Sequence, residues 1–241
     1  MRIQVGTSGY NYPEWQGSFY PARMSAAKML PYYAARFPTV EINYTFYRMP
    51  DEKTVAGWTA STPDDFSFTL KAPKRLTHDA RLRDCADGLR RFLEVAARLG
   101  PKRGALLFQT PPNLKKDLPL LEAFCEPLPP AARAAFEFRH ASWFDDDVLD
   151  FLRGRGLALC VADSEKLSAP VVATAPYAYF RLRDEGYTPA DIARWGDTIA
   201  REAAGCADVF VYFKHEDEGK GPAFARLLLT HLGLPAPDPA A

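Results

Sequence analysis

The sequence predicts an α/β fold, a single (β/α)8 barrel of the TIM type. Short apolar runs of strand length alternate with longer amphipathic stretches, which is typical of parallel βα units. Eight strand runs can be counted, and the 241 residues of the chain match the roughly 250 residues usual for such barrels. No linker rich in Pro, Gly or Ser divides the chain. We therefore expect one barrel domain over residues 1–234 and a frayed tail over residues 235–241, with a doubly wound open sheet as the alternative.

The strands are expected where β-branched and aromatic residues concentrate, as in TVEIN, FSFTLK and DVFVYFK. In chain order they cover residues 2–6, 39–43, 66–71, 104–109, 134–139, 157–163, 177–182 and 208–214. The clearest helices have apolar residues at helical spacing, over residues 25–37, 85–100, 189–204 and 221–233. After the sixth strand, the segment SEKLSAP is short and bounded by proline, so we expect an irregular crossover there.

Composition limits the possible partners. Thirty Lys and Arg residues balance thirty Asp and Glu residues, so no overall positive charge attracts nucleic acid or an anionic membrane. The start, MRIQVGTSGY, lacks the apolar core of a signal peptide, and no apolar run approaches the roughly 18 residues of a membrane span. We expect a cytoplasmic protein with no membrane partner. The four cysteines form no Cys-x-x-Cys pair, which argues against zinc-ribbon and redox motifs.

Polar residues cluster at the carboxyl ends of the expected strands. Both faces of a parallel barrel strand are covered, so a polar side chain there needs a partner or a ligand. The active sites of this architecture form at that end of the barrel. The candidate catalytic residues are Glu41, Lys71, Glu137 and Asp163. The candidate substrate-binding residues on the strands are Asn43, Gln109, Arg139, Arg181 and Lys214.

The charges of this group indicate a small anionic ligand. Four cations against three carboxylates leave a positive excess that suits a phosphorylated or carboxylated molecule. Arg139 and Arg181 can each hold two oxygens, whereas Lys71 acts as a point charge or, when desolvated, as a proton carrier. Glu41 and Glu137 would serve as general base and acid if burial separates their pKa values. The alternative is a purely structural network in which these charges neutralise one another.

Aromatic residues are dense in the loop after the first strand, where five occur between Tyr10 and Tyr20. Such a loop suits a lid or a stacking wall, and from it we select Tyr12 and Trp15 as binding residues. Packing within the loop is the alternative explanation. Tyr47, after the second strand, is a further candidate wall residue.

The leading hypothesis is an enzyme, a hydrolase, lyase or isomerase, acting by acid–base or hydrolytic chemistry on a small anionic substrate. No cofactor motif is evident and no residue is assigned to a metal, because no closely spaced ligand pair occurs. A divalent metal stays possible, since three carboxylates and three histidines fall near the expected mouth. One alternative is a metal-dependent phosphodiesterase or nuclease acting on nucleic acid, which the neutral charge does not favour. The other is a non-catalytic ligand-binding module.

Five segments carry a resemblance to a known family: GTSGYNYPEWQGSFYP (6–21), VEINYTFYRMP (40–50), FSFTLKAPKRLTH (66–78), FQTPPN (108–113) and FEFRHASWF (136–144). Together they resemble the YecE-like family, catalogued as domain of unknown function seventy-two. The resemblance implies a (β/α)8 barrel and supplies no established reaction. The positions that match the family's motifs are Thr7, Ser8, Gly9, Tyr12, Trp15, Glu41, Asn43, Phe46, Tyr47, Lys71, His78, Gln109, Glu137, Arg139, His140, Trp143, Asp163 and Arg181.

Two of these positions, His78 and Trp143, join the candidate binding residues through the resemblance. The chain departs from the commoner family pattern after Arg181, where it reads LRDEG in place of a His-Gly pair. It departs again at the end of the eighth strand, YFKHEDEG, where many relatives carry Asn. The roles of Arg183, Lys214 and His215 are therefore open.

Overall fold

Residues 1–129, 131–163 and 167–237 are described by a computed structural model, in which eight parallel strands form a closed barrel. Each strand pairs with the next along the chain, and β8 pairs with β1. The strands β1 to β8 are Arg2–Ser8, Thr39–Ile42, Ser67–Lys71, Arg103–Gln109, Ala134–Glu137, Ala158–Ala162, Tyr177–Leu182 and Asp208–Phe213. The TIM-type barrel is thus confirmed, and the open-sheet alternative is wrong.

Helices connect most of the strands. The α-helices of the described chain, α1 to α8, are Ala26–Ala34, Tyr44–Tyr47, Glu52–Ala60, Ala86–Ala97, Leu118–Cys125, Asp146–Arg155, Pro189–Glu202 and Lys220–His231. None of these helices is long and apolar enough to cross a membrane. The segment after β2, which carries the candidate wall residue Tyr47, forms the single helical turn α2.

Two expected irregular segments lie partly outside the described residues. In the crossover from β6 to β7, residues 164–166 are not described, and residues 167–176 contain no helix. In the expected tail, residues 238–241 are not described, and residues 235–237 have no regular structure.

Local sequence explains where several helices begin and end. The Asp51 side chain accepts the Thr54 N–H at 2.8 Å at the start of α3, and Thr188 forms a capping box with Asp191 at the start of α7. Helix α6 ends at Gly156, whose φ of 61° lies in the left-handed region that glycine adopts without strain. These caps fix the points at which the chain enters and leaves the barrel wall.

The two faces of each strand have different surroundings. Val40 and Ile42 of β2 belong to the apolar core between strands and helices, as the alternation predicted. Thr39 faces the barrel interior, where its hydroxyl lies 2.8 Å from the Tyr212 hydroxyl. The barrel interior therefore contains polar groups already at the level of Thr39. Glu41, two residues after Thr39, lies on the same face and nearer the carboxyl end of the barrel.

The barrel wall is especially tight where β1 meets β2. A Cβ atom added at Gly6 would lie 2.1 Å from the carbonyl oxygen of Thr39, a distance that no side chain tolerates. The Tyr33 hydroxyl donates to the same carbonyl at 3.0 Å and accepts the Thr7 N–H at 2.8 Å. This contact holds the end of β1 against β2 and so positions Ser8 beside Glu41.

Candidate active site at the barrel mouth

A buried ion network closes the carboxyl end of the barrel interior. The Nε of Arg181 lies 3.1 Å from each carboxylate oxygen of Glu41, and its Nη1 donates to Glu137 Oε2 at 3.2 Å. All three side chains are at most 1% exposed. Arg181 therefore connects β7 with β2 and β5 across the barrel, and two of the expected catalytic carboxylates lie on either side of one guanidinium.

Glu41 has further donors around it. The Ser8 hydroxyl donates to Oε1, and the Tyr179 hydroxyl donates to Oε2 at 2.5 Å. The Asn43 amide donates to Ser8 Oγ at 2.6 Å and so holds that hydroxyl in place. Burial opposes ionisation of Glu41, but the Arg181 charge and these hydrogen bonds outweigh it and lower its pKa. Glu41 is thus held as a carboxylate anion.

Glu137 is held as an anion by a set of arginines. Its Oε1 accepts from Arg139 Nη1 at 3.0 Å and lies 3.7 Å from Arg183 Nη1. Burial alone would raise the pKa of Glu137, but the surrounding cations, first Arg181 and then Arg139, lower it to about 2. The sequence raised the possibility of a base and an acid with separated pKa values. Instead both pKa values are lowered, because Arg181 contacts both carboxylates, so neither group donates a proton at neutral pH.

Lys71, at the end of β3, has no counterion among the residues that the structure describes. Its side chain is buried, and its Nζ lies 4.2 Å from the centre of the Phe46 ring on α2. Among the described residues, no hydrogen bond or ion pair links this Nζ to another group. Burial, assisted by the Arg181 charge, lowers the pKa of Lys71 to about 7. This amine therefore exists in both protonation states near neutral pH.

The mouth carries excess positive charge. Lys71, Arg139, Arg181 and Arg183 surround the two carboxylates of Glu41 and Glu137. Arg139 and Arg183 are 29% and 21% exposed, so their guanidinium groups can be reached from outside. The expected excess of cations is present, although its members differ from those that the sequence indicated.

The comparisons with known proteins agree with this architecture. The model of a family described as "Protein of unknown function DUF72" matches residues 4–241 of the chain. The chain belongs to the DUF72 family.

Relatives in the DUF72 family come from several bacteria. UPF0759 protein YecE of Escherichia coli K12 is 31% identical over 182 residues, which cover 73% of this chain and 63% of that protein. UPF0759 protein YunF of Bacillus subtilis is 27% identical over 198 residues, which cover 77% of this chain and 68% of that protein. The chain thus spans less than two thirds of the length of YecE.

Solved DUF72 structures share the fold. A DUF72 protein of Thermotoga maritima superposes with a TM-score of 0.87 at 26% identity, covering 97% of this chain and all of that one. A DUF72 protein of Enterococcus faecalis superposes with a TM-score of 0.80 at 20% identity, covering 99% and 98% of the two chains. The names of these proteins state no substrate or reaction.

Two residues expected to bind substrate are packed inside this DUF72 chain. The indoles of Trp15 and Trp143 are fully buried, and each N–H donates to a backbone carbonyl at 2.8 Å, that of Glu216 and of Leu114 respectively. The structure therefore places both indoles in the packing of the loops. Tyr47 is 81% exposed, on the outer side of α2.

Other expected binding residues line or border the mouth. Tyr12 and Asn43 line a cavity of about 200 Å³ beside the ion network, together with Tyr10, Tyr44 and Trp58. His78 packs edge-on against Phe46 with ring centres 5.0 Å apart, and burial together with the Lys71 charge lowers its pKa. Gln109 is buried at the end of β4.

Asp163 and Lys214 make other contacts. The Asp163 carboxylate accepts the Arg183 backbone N–H at 2.9 Å and the Tyr187 hydroxyl. Its position explains this, because Asp163 follows β6 on the opposite alternation from Cys160, which faces the interior. Lys214 pairs with Glu216 at 3.2 Å near the surface.

Strand alternation also contained a signal for one site residue that we did not select. Tyr179 lies two residues before Arg181, so both side chains point to the same face of β7. Ser8 was indicated by the family motif and not by its chemistry. Among the described residues, no group of three or more His, Cys, Asp and Glu side chains is arranged to hold a metal ion.

Proposed function

We propose that this chain is an enzyme that binds a small phosphorylated or carboxylated substrate at the barrel mouth and uses Lys71 for proton transfer. The observation that carries the proposal is the buried Lys71 amine, unpaired within the described part of the chain, beside a network with more cations than carboxylates. A desolvated positive excess favours an anion as its partner. A pKa of about 7 allows the same amine to accept and donate a proton at neutral pH.

The arginines of the mouth have two different roles: some are placed to bind the substrate anion, and one holds the buried carboxylates. Arg139 and Arg183 are partly exposed, and the buried Nε of Arg183 has no hydrogen-bond partner among the described residues. These two guanidinium groups are suited to clamp phosphate or carboxylate oxygens. Arg181 fills its hydrogen bonds with Glu41, Glu137 and Ser8, so it serves as framework and as a source of positive field.

The alternatives have less support. A metal-dependent phosphodiesterase would need carboxylates as ligands, but both oxygens of Glu41 face Arg181, and those of Glu137 face Arg181 and Arg139. A non-catalytic binding module would use the same cations and differs only in lacking turnover. A deuterium-exchange experiment distinguishes a binding module from an enzyme, because proton transfer that depends on Lys71 places solvent deuterium on a C–H position of the bound substrate.

Anion binding can be tested by thermal unfolding in phosphate, sulfate and a panel of small carboxylates at constant ionic strength. We expect at least one anion to stabilise the wild type, by about 2.7 kcal/mol at 100 times its Kd. Lys71→Gln and Arg139→Gln should lose this effect. Arg90→Gln, at an exposed ion pair with Asp87 on α4, should retain it. Absence of stabilisation by every anion, or its persistence in both mouth variants, contradicts the proposal.

Turnover is tested next with the anions that bind. Each is incubated with the protein in deuterium oxide and followed by proton NMR. Loss of a C–H signal in the wild type and not in Lys71→Gln supports proton transfer. Binding without exchange or conversion of any ligand in the panel supports the non-catalytic module instead.

A further inference from the structure

Two lysines of this barrel are equally buried and differ in their surroundings. Lys71 and Lys102 are each 8% exposed. The Lys102 ammonium donates to the carbonyls of Thr59 and Thr62 at 2.8 and 2.7 Å and to the Thr62 hydroxyl at 3.2 Å. Among the described residues, Lys71 Nζ has no acceptor and lies over the face of Phe46. The two lysines are buried to the same extent, so they differ in how well their surroundings stabilise the ammonium form.

An ammonium group without hydrogen-bond acceptors loses a proton more readily, and the neutral amine that results has a free lone pair. A lysine becomes nucleophilic when it is desolvated or lies beside another cation, because both conditions favour the neutral form. Lys71 meets both conditions, because its side chain is buried and the charge of Arg181 acts on its amine. Lys102 is equally buried, but its three hydrogen bonds hold its protons and so favour the ammonium form.

We infer that Lys71 is a nucleophile that forms an imine with an aldehyde or ketone group of the anionic substrate. This inference rests on the anion site of the proposed function, because Arg139 and Arg183 would hold the anionic end while the carbonyl carbon meets the amine. It changes how Lys71 promotes proton exchange: the imine makes the neighbouring substrate C–H acidic, and the amine does not itself take that proton. The substrate class is therefore a small oxo acid or a phosphorylated carbonyl compound. The reaction class is that of lyases and isomerases that use an imine as an electron sink.

The covalent step is balanced without an external oxidant or reductant. The nitrogen lone pair forms the C–N bond while the carbonyl π electrons move to oxygen, and one of the two nitrogen protons is transferred to that oxygen, directly or through water, to give a neutral carbinolamine. The nitrogen then loses a proton, a solvent proton joins the hydroxyl, and water departs as the C=N bond forms. The products are the imine and one water molecule.

The charged groups around Lys71 suit this step. The charged and titratable groups on other strands and loops that interact electrostatically with the Lys71 amine are Glu41, Glu137, Arg181, Lys214 and His78. The first two are fixed carboxylates, and their negative field stabilises the cation that results when the imine is protonated. A pKa of about 7 leaves about half of the amine neutral at pH 7, about 1,000 times the fraction for an ordinary lysine.

The test uses glyoxylate, a small anionic aldehyde, with cyanoborohydride, which reduces an imine to a stable secondary amine. Wild-type protein is labelled at pH 7, and the modified lysines are located and timed by peptide mass spectrometry. We expect Lys71 to react at least about tenfold faster than the exposed Lys53 on α3, because of its larger neutral fraction. Lys102 should react more slowly than Lys53. A Lys71 rate equal to or below that of Lys53 overturns the inference.

A second measurement uses Lys71→Arg, which keeps the charge and removes the nucleophile. If it folds, as circular dichroism shows, it should lose the fast adduct and keep stabilisation by phosphate. The wild-type comparison of the three lysines does not depend on this variant. A fast adduct that persists in Lys71→Arg lies elsewhere and overturns the assignment.

The two proposals fail in different ways. Phosphate stabilisation of the wild type without a fast Lys71 adduct supports the anion site and overturns the imine. A fast adduct that inorganic phosphate does not slow, in a protein that no anion stabilises, supports the nucleophile and contradicts the anion-binding function. A fast adduct that phosphate suppresses supports both.

Discussion

Replacing Arg181 with methionine removes the guanidinium between two fully buried carboxylates. Removing one partner of a buried ion pair costs about 3 to 5 kcal/mol, because the other charge stays buried without compensation. Arg181 is the first of several cations that lower the pKa of Glu137 from 4.5 to about 2, and the whole shift corresponds to roughly 3 kcal/mol at about 1.4 kcal/mol per unit, of which Arg181 supplies a part. We therefore expect the free energy of unfolding to fall by about 3 to 5 kcal/mol at pH 7.5.

The loss should depend on pH with a definite sign. In the wild type the folded pKa values of Glu41 and Glu137 lie below the unfolded value of about 4.3, so their contribution is present above that pH. It is lost as the pH falls toward about 2. In Arg181→Met, burial without the guanidinium raises the pKa of Glu41 above its unfolded value, so stability declines as the pH rises through the raised pKa. The gap between the two proteins should widen from about pH 4.5 to pH 7.5.

Urea unfolding followed by circular dichroism at these two pH values measures the effect. Arg90→Met is the control, because Arg90 is mostly exposed and pairs with Asp87 within one helix, where such pairs contribute about 0.3 to 0.5 kcal/mol. The triple variant with Glu41→Gln and Glu137→Gln should recover part of the loss, since it removes the buried charges. A cost below about 1 kcal/mol at pH 7.5, or a triple variant no more stable than the single one, refutes the reasoning.

Two further predictions concern single positions. The glyoxylate labelling rate of Lys71 should rise with pH around a midpoint of about 7, because the neutral amine reacts, and a midpoint shared with Lys53 contradicts the lowered pKa. Gly6→Ala should destabilise the barrel by at least about 3 kcal/mol through the clash with Thr39, whereas Gly57→Ala, in the open middle of α3, should stabilise it by about 0.5 to 1 kcal/mol. Thermal unfolding measures both glycine variants, and equal effects at the two positions contradict the packing argument.

Strand alternation predicted much of this architecture, because a period of two fixes which face each side chain occupies. It placed Val40 and Ile42 against the helices and Glu41 in the interior, as the structure shows. It was less reliable beyond the strand ends. The sixth strand was expected over 157–163 and ends at Ala162, so Asp163 belongs to a loop and pairs with Tyr187.

Contacts across the barrel could not be derived from local pattern. Glu41 and Arg181 are 140 residues apart in sequence, and nothing near either residue indicates that the guanidinium lies between two carboxylates. The sequence therefore indicated the charged set and not its pairing, on which the direction of each pKa shift depends. Lys71 and Lys102 show the same limit, since only the fold determines which buried ammonium finds acceptors.

The shared guanidinium of Arg181 has a consequence for how this site can change over evolution. Glu41, Glu137 and Arg181 stabilise one another, so a substitution at any one of them is penalised until the others change as well. The Lys71 amine makes no hydrogen bond or ion pair with the described side chains of this network, and Phe46 beside it belongs to a short turn outside the barrel wall. A new side chain at position 71 can therefore alter the chemistry of the mouth while the network that shapes it stays intact.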